Sequence, residues 1–380
     1  MKFLHTADWH IGRRLHGFDL TDEQTTAFDQ IEQLAIQEHV DGIIIAGDLY
    51  DRRLPAEASV ALVNQMLQKL NLADHFPIYA ISGNHDSATR LATGTPWFKQ
   101  TDLYLHTELG QAFQPIEVGD CQLFLCPYFE PFEAQQYFED ESLQHLDQAF
   151  ARVVSEMKKA FDPAKKHLLV AHFFVAGSAT TDSETNLTVG GLAAVPTDLL
   201  VDFDYVALGH LHGKDALHAD RARYSGSPVK FSLSEANQQK GVWIVDTDQS
   251  PITYEFKPLQ PVHDVKLLTD SFETLMSSET DDSIDHEDYY GITLTDRQPI
   301  PNVMARLRTV FPRIVTLSRQ DGYSAQVSYQ GETSKQLKQK APMALLDDFY
   351  EQVAKEKMTP QQQKWAQQAL KQANEGGTNA

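Results

Sequence analysis

Apolar residues gather in short runs over the first eighty positions, at Lys2 to Thr6, Gly42 to Ala46 and Ile78 to Ile81, each rich in Ile, Leu or Phe. Runs of this length predict buried strands. Between them the apolar spacing lengthens to three and four. Phe28, Ile31 and Leu34 share one face of a stretch that opens at Thr21, with Gln24 three positions on as a capping-box partner. Val60, Val63, Leu67 and Leu70 line a second helical stretch. Strand, helix, strand, helix, strand predicts parallel pairing within an α/β fold.

Further along, Gln122 to Leu125, Leu168 to Ala171, Asp204 to Leu208 and Val242 to Val245 read as strands with fewer helices between them, which predicts a second, mixed sheet packed on the first. The character changes near Pro261. A polar, acidic stretch from Ser277 to Asp288 precedes a small strand-helix-strand unit. That unit carries Ile292 and Leu294, then Val303, Met304, Leu307 and Phe311, then Ile314 to Leu317. The tail is rich in Gln and Lys. Leu345, Leu346, Phe349, Tyr350 and Val353 form an apolar stripe at helical spacing, and Thr359-Pro360 punctuates the chain before a stretch bearing Trp365 and Leu370. Such a stripe suits packing on its own domain and equally suits a docking partner. Residues 376–380 are expected to fray.

Composition adjusts this picture in three places. No apolar run approaches the roughly 18 to 20 residues of a spanning helix and no signal-peptide core follows Met1, so the chain is expected in the cytoplasm with no membrane partner. The Asn186-Leu187-Thr188 triplet then has no glycosylation to receive. Cys121 and Cys126 are the only cysteines, and their odd spacing in a strand puts them on opposite faces, as inert core residues. The net charge of −21, from 53 acidic and 32 basic residues, opposes broad adhesion to nucleic acid unless positive charge is concentrated locally, as at Arg13-Arg14 and Arg52-Arg53.

The chemistry sits where the strands end. The first ends in Asp8-Trp9-His10, the second in Gly47-Asp48 and the third in Gly83-Asn84-His85-Asp86; later strands end in His172 and in Gly209-His210-Leu211-His212. Ligands bind at the carboxyl ends of strands in α/β sheets, so the five blocks are expected to converge on one crevice. His210 and His212 share a face if their strand continues. Carboxylate, imidazole and amide donors without thiolate suit Mn²⁺, Fe²⁺ or Zn²⁺. Asp8, His10, Asp48, Asn84, His172, His210 and His212 are too many for one ion, whereas two ions sharing one carboxylate would each receive four donors. Two such ions clamp the attacking and leaving oxygens of a phosphoryl displacement. The glycines fit turns where backbone approaches metal or phosphate closely.

Together these blocks resemble the calcineurin-like metallophosphoesterase signature. His5-Thr6-Ala7-Asp8-Trp9-His10-Ile11-Gly12, Gly47-Asp48-Leu49-Tyr50-Asp51, Asn84-His85-Asp86-Ser87, and Tyr224-Ser225-Gly226-Ser227-Pro228 followed by Phe231-Ser232 are similar to bacterial SbcD-type nuclease subunits of SbcCD complexes. The likeness is strong over residues 1 to about 245 and looser beyond. It implies a two-sheet metallophosphoesterase sandwich flanked by helices, with a small α+β capping domain and a helical C-terminal tail. The corresponding segments are a nuclease domain at 1–258, a capping and DNA-binding domain at 259–335, and an ATPase-docking tail at 336–380.

The resemblance also implies one metal at Asp8, His10, Asp48 and His212 and a second at Asp48, Asn84, His172 and His210, most often Mn²⁺. His85 would stabilise the transition state or protonate the leaving oxygen, and Asp86 would orient His85 or cap the following turn. Arg13, Arg14, His16, Arg52, Arg53 and Arg90 flank these blocks as candidate contacts to DNA phosphates. Implied partners are DNA, an SbcC-like coiled-coil ATPase and a second copy of the nuclease chain, a homodimer within a heterotetramer. The implied activity is ATP-dependent cleavage of double-stranded ends and hairpins, as 3′–5′ exonuclease and single-strand endonuclease, in DNA repair and recombination. No P-loop occurs, since Gly213-Lys214 is followed by Asp215, so ATP hydrolysis falls to the partner. A phosphatase or small-nucleotide phosphodiesterase would share the metal signature but has no need of the capping unit and tail. A scaffold without activity fits poorly with seven intact ligands and His85.

Overall fold

Alternation along the strands builds the architecture seen in the computed structural model, which describes residues 1–184, 194–281, 283–320, 341–354 and 356–376. The Asn186 to Thr188 triplet, the 335/336 boundary and residues 377–380 lie outside the described residues. Lys2–Thr6, Gly42–Ala46 and Ile78–Ile81 are strands with the bounds that the sequence predicts. They form the centre of a six-stranded sheet in the order Thr253–Pro258, Gly241–Asp246, Lys2–Thr6, Gly42–Ala46, Ile78–Ile81, Leu103–His106. The last four pair in parallel and the first two antiparallel. A five-stranded sheet runs in the order Ala222–Tyr224, Tyr205–Gly209, Lys166–His172, Cys121–Cys126, Ile116–Val118, with only its last pair antiparallel.

Successive residues point to opposite faces of a strand, and the core divides accordingly. Phe3, Ile44, Ile81, Leu123, Leu168 and Val245 pack together between the two sheets. Leu4, Ile43 and Ile45 turn the other way and pack with Phe28 and Ile31 of helix Thr21–Gln37 and Val63 of helix Glu57–Gln68. On the far side of the second sheet, Phe124 and Leu169 meet Phe150, Val153 and Met157 of helix Leu146–Met157. Cys121 and Cys126 are free, buried and split between separate clusters, on opposite strand faces as their spacing requires.

Three local readings change. Gly241–Asp246 joins the first sheet beside Lys2–Thr6, not the second, because its pairing is long-range and leaves no mark in local periodicity. Val60 is exposed; the buried face of its helix runs through Ser59, Val63 and Met66. Gln24 makes no helix cap. Its Nε2 donates to the carbonyls of Trp9 and His10 at 3.1 and 2.8 Å, and its Oε1 accepts from Gly12 N at 3.2 Å, so it clamps the loop that follows the first strand.

The chain divides into two units, one of residues 1–268, 282–291 and 311–316, the other of residues 269–281, 292–310 and 317–380. Strands Val265–Asp270, Tyr289–Leu294 and Ile314–Arg319 form a three-stranded sheet, with helix Val303–Leu307 where the sequence predicts one. Helices Pro342–Ala354 and Pro360–Gly376 pair through Gln362 Nε2, which donates to the Tyr350 hydroxyl at 2.8 Å. Among the described residues no helix is long and apolar enough to cross a membrane.

Candidate metal centre

Each strand that carries a candidate ligand stops at the same edge, and the chain then turns sharply. Asp8, His10, Asp48 and His210 adopt φ of 54°, 45°, 53° and 97°, the left-handed region that side chains other than glycine rarely enter. Such strain costs on the order of 1–3 kcal/mol per residue and persists where surrounding structure holds it. Here the loops hold one another: Asp8 N donates to Gly47 O at 3.0 Å, His10 N to Asp48 O at 2.9 Å and Ile11 N to Leu49 O at 3.0 Å. Gly47, at φ 89°, approaches the His172 ring too closely for any side chain.

These turns bring all seven candidate ligands together, every one buried except the half-buried Asn84. Donor atoms of Asp8, His10 and His212 lie within 4.8 Å of one another, as do those of Asp8, Asp48 and His172. His10 Nε2 is 3.1 Å from His212 Nε2 and 3.5 Å from Asp48 Oδ2. His172 Nε2 is 3.2 Å from Asp48 Oδ2, and Asn84 Oδ1 is 3.0 Å from both His172 Nε2 and His210 Nδ1. Edges of about 3 Å between N and O donors are those of a coordination shell with bonds near 2.1 Å. The donor set and its spacing therefore fit divalent cations. His210 and His212 do not share a face; the strand ends at Gly209 and the positive φ of His210 sends the two rings to different partners.

The electrostatics divide the candidate ligands. Burial pushes Asp48 up, but the charge and hydrogen bond of His172, then His10 and His85, outweigh it and hold the carboxyl well below its ordinary range. Burial pushes Asp8 well up. Burial lowers His10 well below the usual imidazole range, and burial followed by the charge of His172 takes His210 down to about 3. Burial lowers His172 too, but the charge and hydrogen bond of Asp48, then the charge of Asp8, outweigh it and take that ring up to about 9. A neutral imidazole is the form that binds metal, so His10 and His210 already have it, whereas His172 would give up a proton to a bound cation.

His85 stands beside His10, ring centroids 4.8 Å apart, with its backbone N donating to Asp48 Oδ1 at 2.8 Å. Its Nδ1 donates to the Asp51 carbonyl at 2.9 Å. Asp86 accepts from the backbone N–H groups of Leu49, Tyr50 and Gly83 at 3.0 to 3.2 Å, tying two loops of the site together. Burial, then the charge of Asp48, pushes this carboxyl up to about 7.

The six basic candidates separate. Arg13 is tied down, donating to Ser183 O at 2.5 Å, 3.5 Å from Asp51 and 5.0 Å above the Phe231 ring. Arg14 pairs with Asp19 and Arg52 with Asp51, both at the surface. His16, Arg53 and Arg90 are exposed. Sequence reasoning missed a cluster behind His212 formed by Ser183, Glu184, Glu235 and Lys240, all buried. The motif ending in Phe231-Ser232 stops three residues short of Glu235, the one nearby signal.

Two packed sheets with carboxylate, amide and imidazole donors at one edge define a class, the calcineurin-like phosphoesterases, and the profile of that description matches residues 1–214. A second profile, described as the type 5 capsule protein repressor C-terminal domain, matches residues 258–354. A Staphylococcus epidermidis (strain ATCC 12228) protein, named as the D subunit of nuclease SbcCD, is 34% identical over 319 residues, covering 84% of this chain and 85% of the relative. A protein of the same name from Staphylococcus saprophyticus (strain ATCC 15305) is 31% identical over 366 residues, 96% of each chain. The chain belongs to the calcineurin-like phosphoesterase family, in the branch of the SbcD nuclease subunits.

Proposed function

We propose that this chain is the nuclease subunit of an SbcCD-type complex, hydrolysing DNA phosphodiesters at the site centred on Asp48. The observation that carries the reading is the gathering of donors from five strand ends, six of them linked by contacts of 3.0 to 3.5 Å and Asp8 within 4.8 Å of its neighbours. Asp8, His10, Asp48 and His212 would hold one divalent ion and Asp48, Asn84, His172 and His210 the other, with Mn²⁺ the ion that suits this donor set and family. Two bound ions supply Lewis-acid polarisation of the phosphate and activation of the attacking water.

The remaining chemistry belongs to the chain. The Asp51 carbonyl fixes the His85 ring with its proton on Nδ1, so proton exchange takes place at Nε2, toward the leaving oxygen. Asp86 positions the loops bearing Asp48 and Asn84. Arg14, His16, Arg52, Arg53 and Arg90, all exposed, would meet backbone phosphates, while the pairing of Arg13 suits bracing of the site. We assign residues 1–258 to the nuclease domain, 259–335 to a DNA-contacting cap and 336–380 to docking on a coiled-coil ATPase, within a cytoplasmic assembly of two copies of each chain. Exposed Phe349 and Trp365 on the paired tail helices support the docking role.

The test is cleavage of a labelled DNA hairpin with Mn²⁺ by wild type and His85→Ala, each with and without the ATPase and ATP. Wild type is expected to cut with stimulation by partner and ATP. The variant is expected to lose about 10²- to 10⁴-fold in rate while keeping its metal. An uncut hairpin beside rapid hydrolysis of small phosphodiesters would point to a small-diester enzyme instead.

A further inference from the structure

The two backbone groups and the outer ring nitrogen of His212 are all held by one buried cluster. His212 N donates to Glu184 Oε1 at 2.8 Å, and Lys240 Nζ donates to His212 O at 2.8 Å. On the ring, Nδ1 lies 2.6 Å from Ser183 Oγ. That hydroxyl donates its own proton to Glu235 Oε1, so it has only a lone pair to offer the imidazole. The proton between them therefore belongs to His212 Nδ1, and Nε2 keeps its lone pair facing His10 Nε2 and the metal site.

Glu235 is fully buried, and its charge is met by Lys240 Nζ at 2.5 Å from Oε2. Lys240 also donates to Ser227 Oγ at 2.9 Å. Ser232 Oγ and Phe231 N give Glu235 further hydrogen bonds, both at 3.3 Å. A buried ion pair is costly unless its geometry is complete, and this one is complete. His172 has a simpler arrangement, with Nδ1 donating to the Ala46 carbonyl at 2.7 Å. The two imidazoles are thus oriented by different devices, a backbone carbonyl for His172 and a charged relay for His212.

We propose that Ser183, Glu235 and Lys240 form a positioning relay that fixes His212 as the Nδ1–H tautomer and strengthens its Nε2 as a ligand to one metal of the pair. Partners of this kind behind a ligating histidine change metal affinity by about 10- to 100-fold. Only the ion held by Asp8, His10, Asp48 and His212 depends on the relay. The inference rests on the two-metal reading of the site.

Ser183→Ala removes the hydroxyl and leaves the Glu235–Lys240 pair intact, so the variant keeps its buried charges matched; Ser183→Thr retains the hydroxyl. Mn²⁺ binding to the full chain, followed by the electron paramagnetic resonance of free Mn²⁺, is expected to show two binding steps in wild type. In Ser183→Ala one step should weaken by about 10-fold or more with the other unchanged, and Ser183→Thr should restore it to within about 2-fold. Nitrogen-15 spectra of the metal-free chain, labelled at histidine, should show His212 protonated at Nδ1 in wild type and a tautomer mixture in Ser183→Ala. Two unchanged steps with an unchanged tautomer would overturn the relay and leave the metal centre standing. Equal weakening of both steps would also overturn it, reducing Ser183 to general packing. Absence of any Mn²⁺ binding by wild type would overturn the metal centre and the relay together.

Discussion

A methyl group added at Gly209 would overlap the Ala46 carbonyl oxygen and lie 2.7 Å from His172 Nδ1, the atoms that orient one ligand of the site. Gly209→Ala is therefore expected to destabilise the chain by about 1–3 kcal/mol, the usual range for overpacking, seen as a lower denaturant midpoint, and to weaken metal binding. A midpoint and metal content equal to wild type would show that the loop yields more readily than its packing indicates. The convergence of the candidate ligands was legible in the sequence, because Asp8, Asp48, Asn84, His172 and His210 each lie within three residues of the end of an apolar run. Ser183, Glu235 and Lys240 were not. They reach His212 from loops whose proximity only tertiary packing creates, and no spacing in the chain announces it.

At the scale of elements, the strands Lys2–Thr6, Gly42–Ala46 and Ile78–Ile81 were read to the residue and the helices between them in kind, since parallel βαβ pairing follows from the order of the elements; the short strands Arg14–Leu15 and Phe18–Asp19 were not read. The errors came where an element answers to a distant partner. Gln24 occupies a position that local rules assign to a helix cap, yet it serves the loop carrying His10. Gln24→Ala would leave two buried carbonyls and the Gly12 N–H with one partner fewer, so a loss of about 1–3 kcal/mol in unfolding free energy is expected, with weaker metal binding as the loop relaxes. A change confined to helix content would instead support the capping role. Strand Gly241–Asp246 gives the same lesson, for its place beside Lys2–Thr6 is fixed by pairing across more than two hundred residues.

At the scale of the whole molecule, a net charge of −21 sets the terms on which a DNA substrate would be met. Exposed arginines near the site are local exceptions in an acidic surface, so the isolated chain is expected to bind DNA weakly, with affinity falling steeply as salt rises and recovering when the ATPase is added. Tight, salt-insensitive binding by the chain alone would contradict this, and fluorescence anisotropy over a salt series decides it. The metal centre remains the claim on which the rest depends. Anomalous diffraction from crystals of the full chain equilibrated with Mn²⁺ tests it most directly. The expected result is two peaks about 3.5 to 4 Å apart with Asp48 between them, one also touching Asp8, His10 and His212 and the other Asn84, His172 and His210. A single peak, or peaks away from these seven side chains, would contradict it.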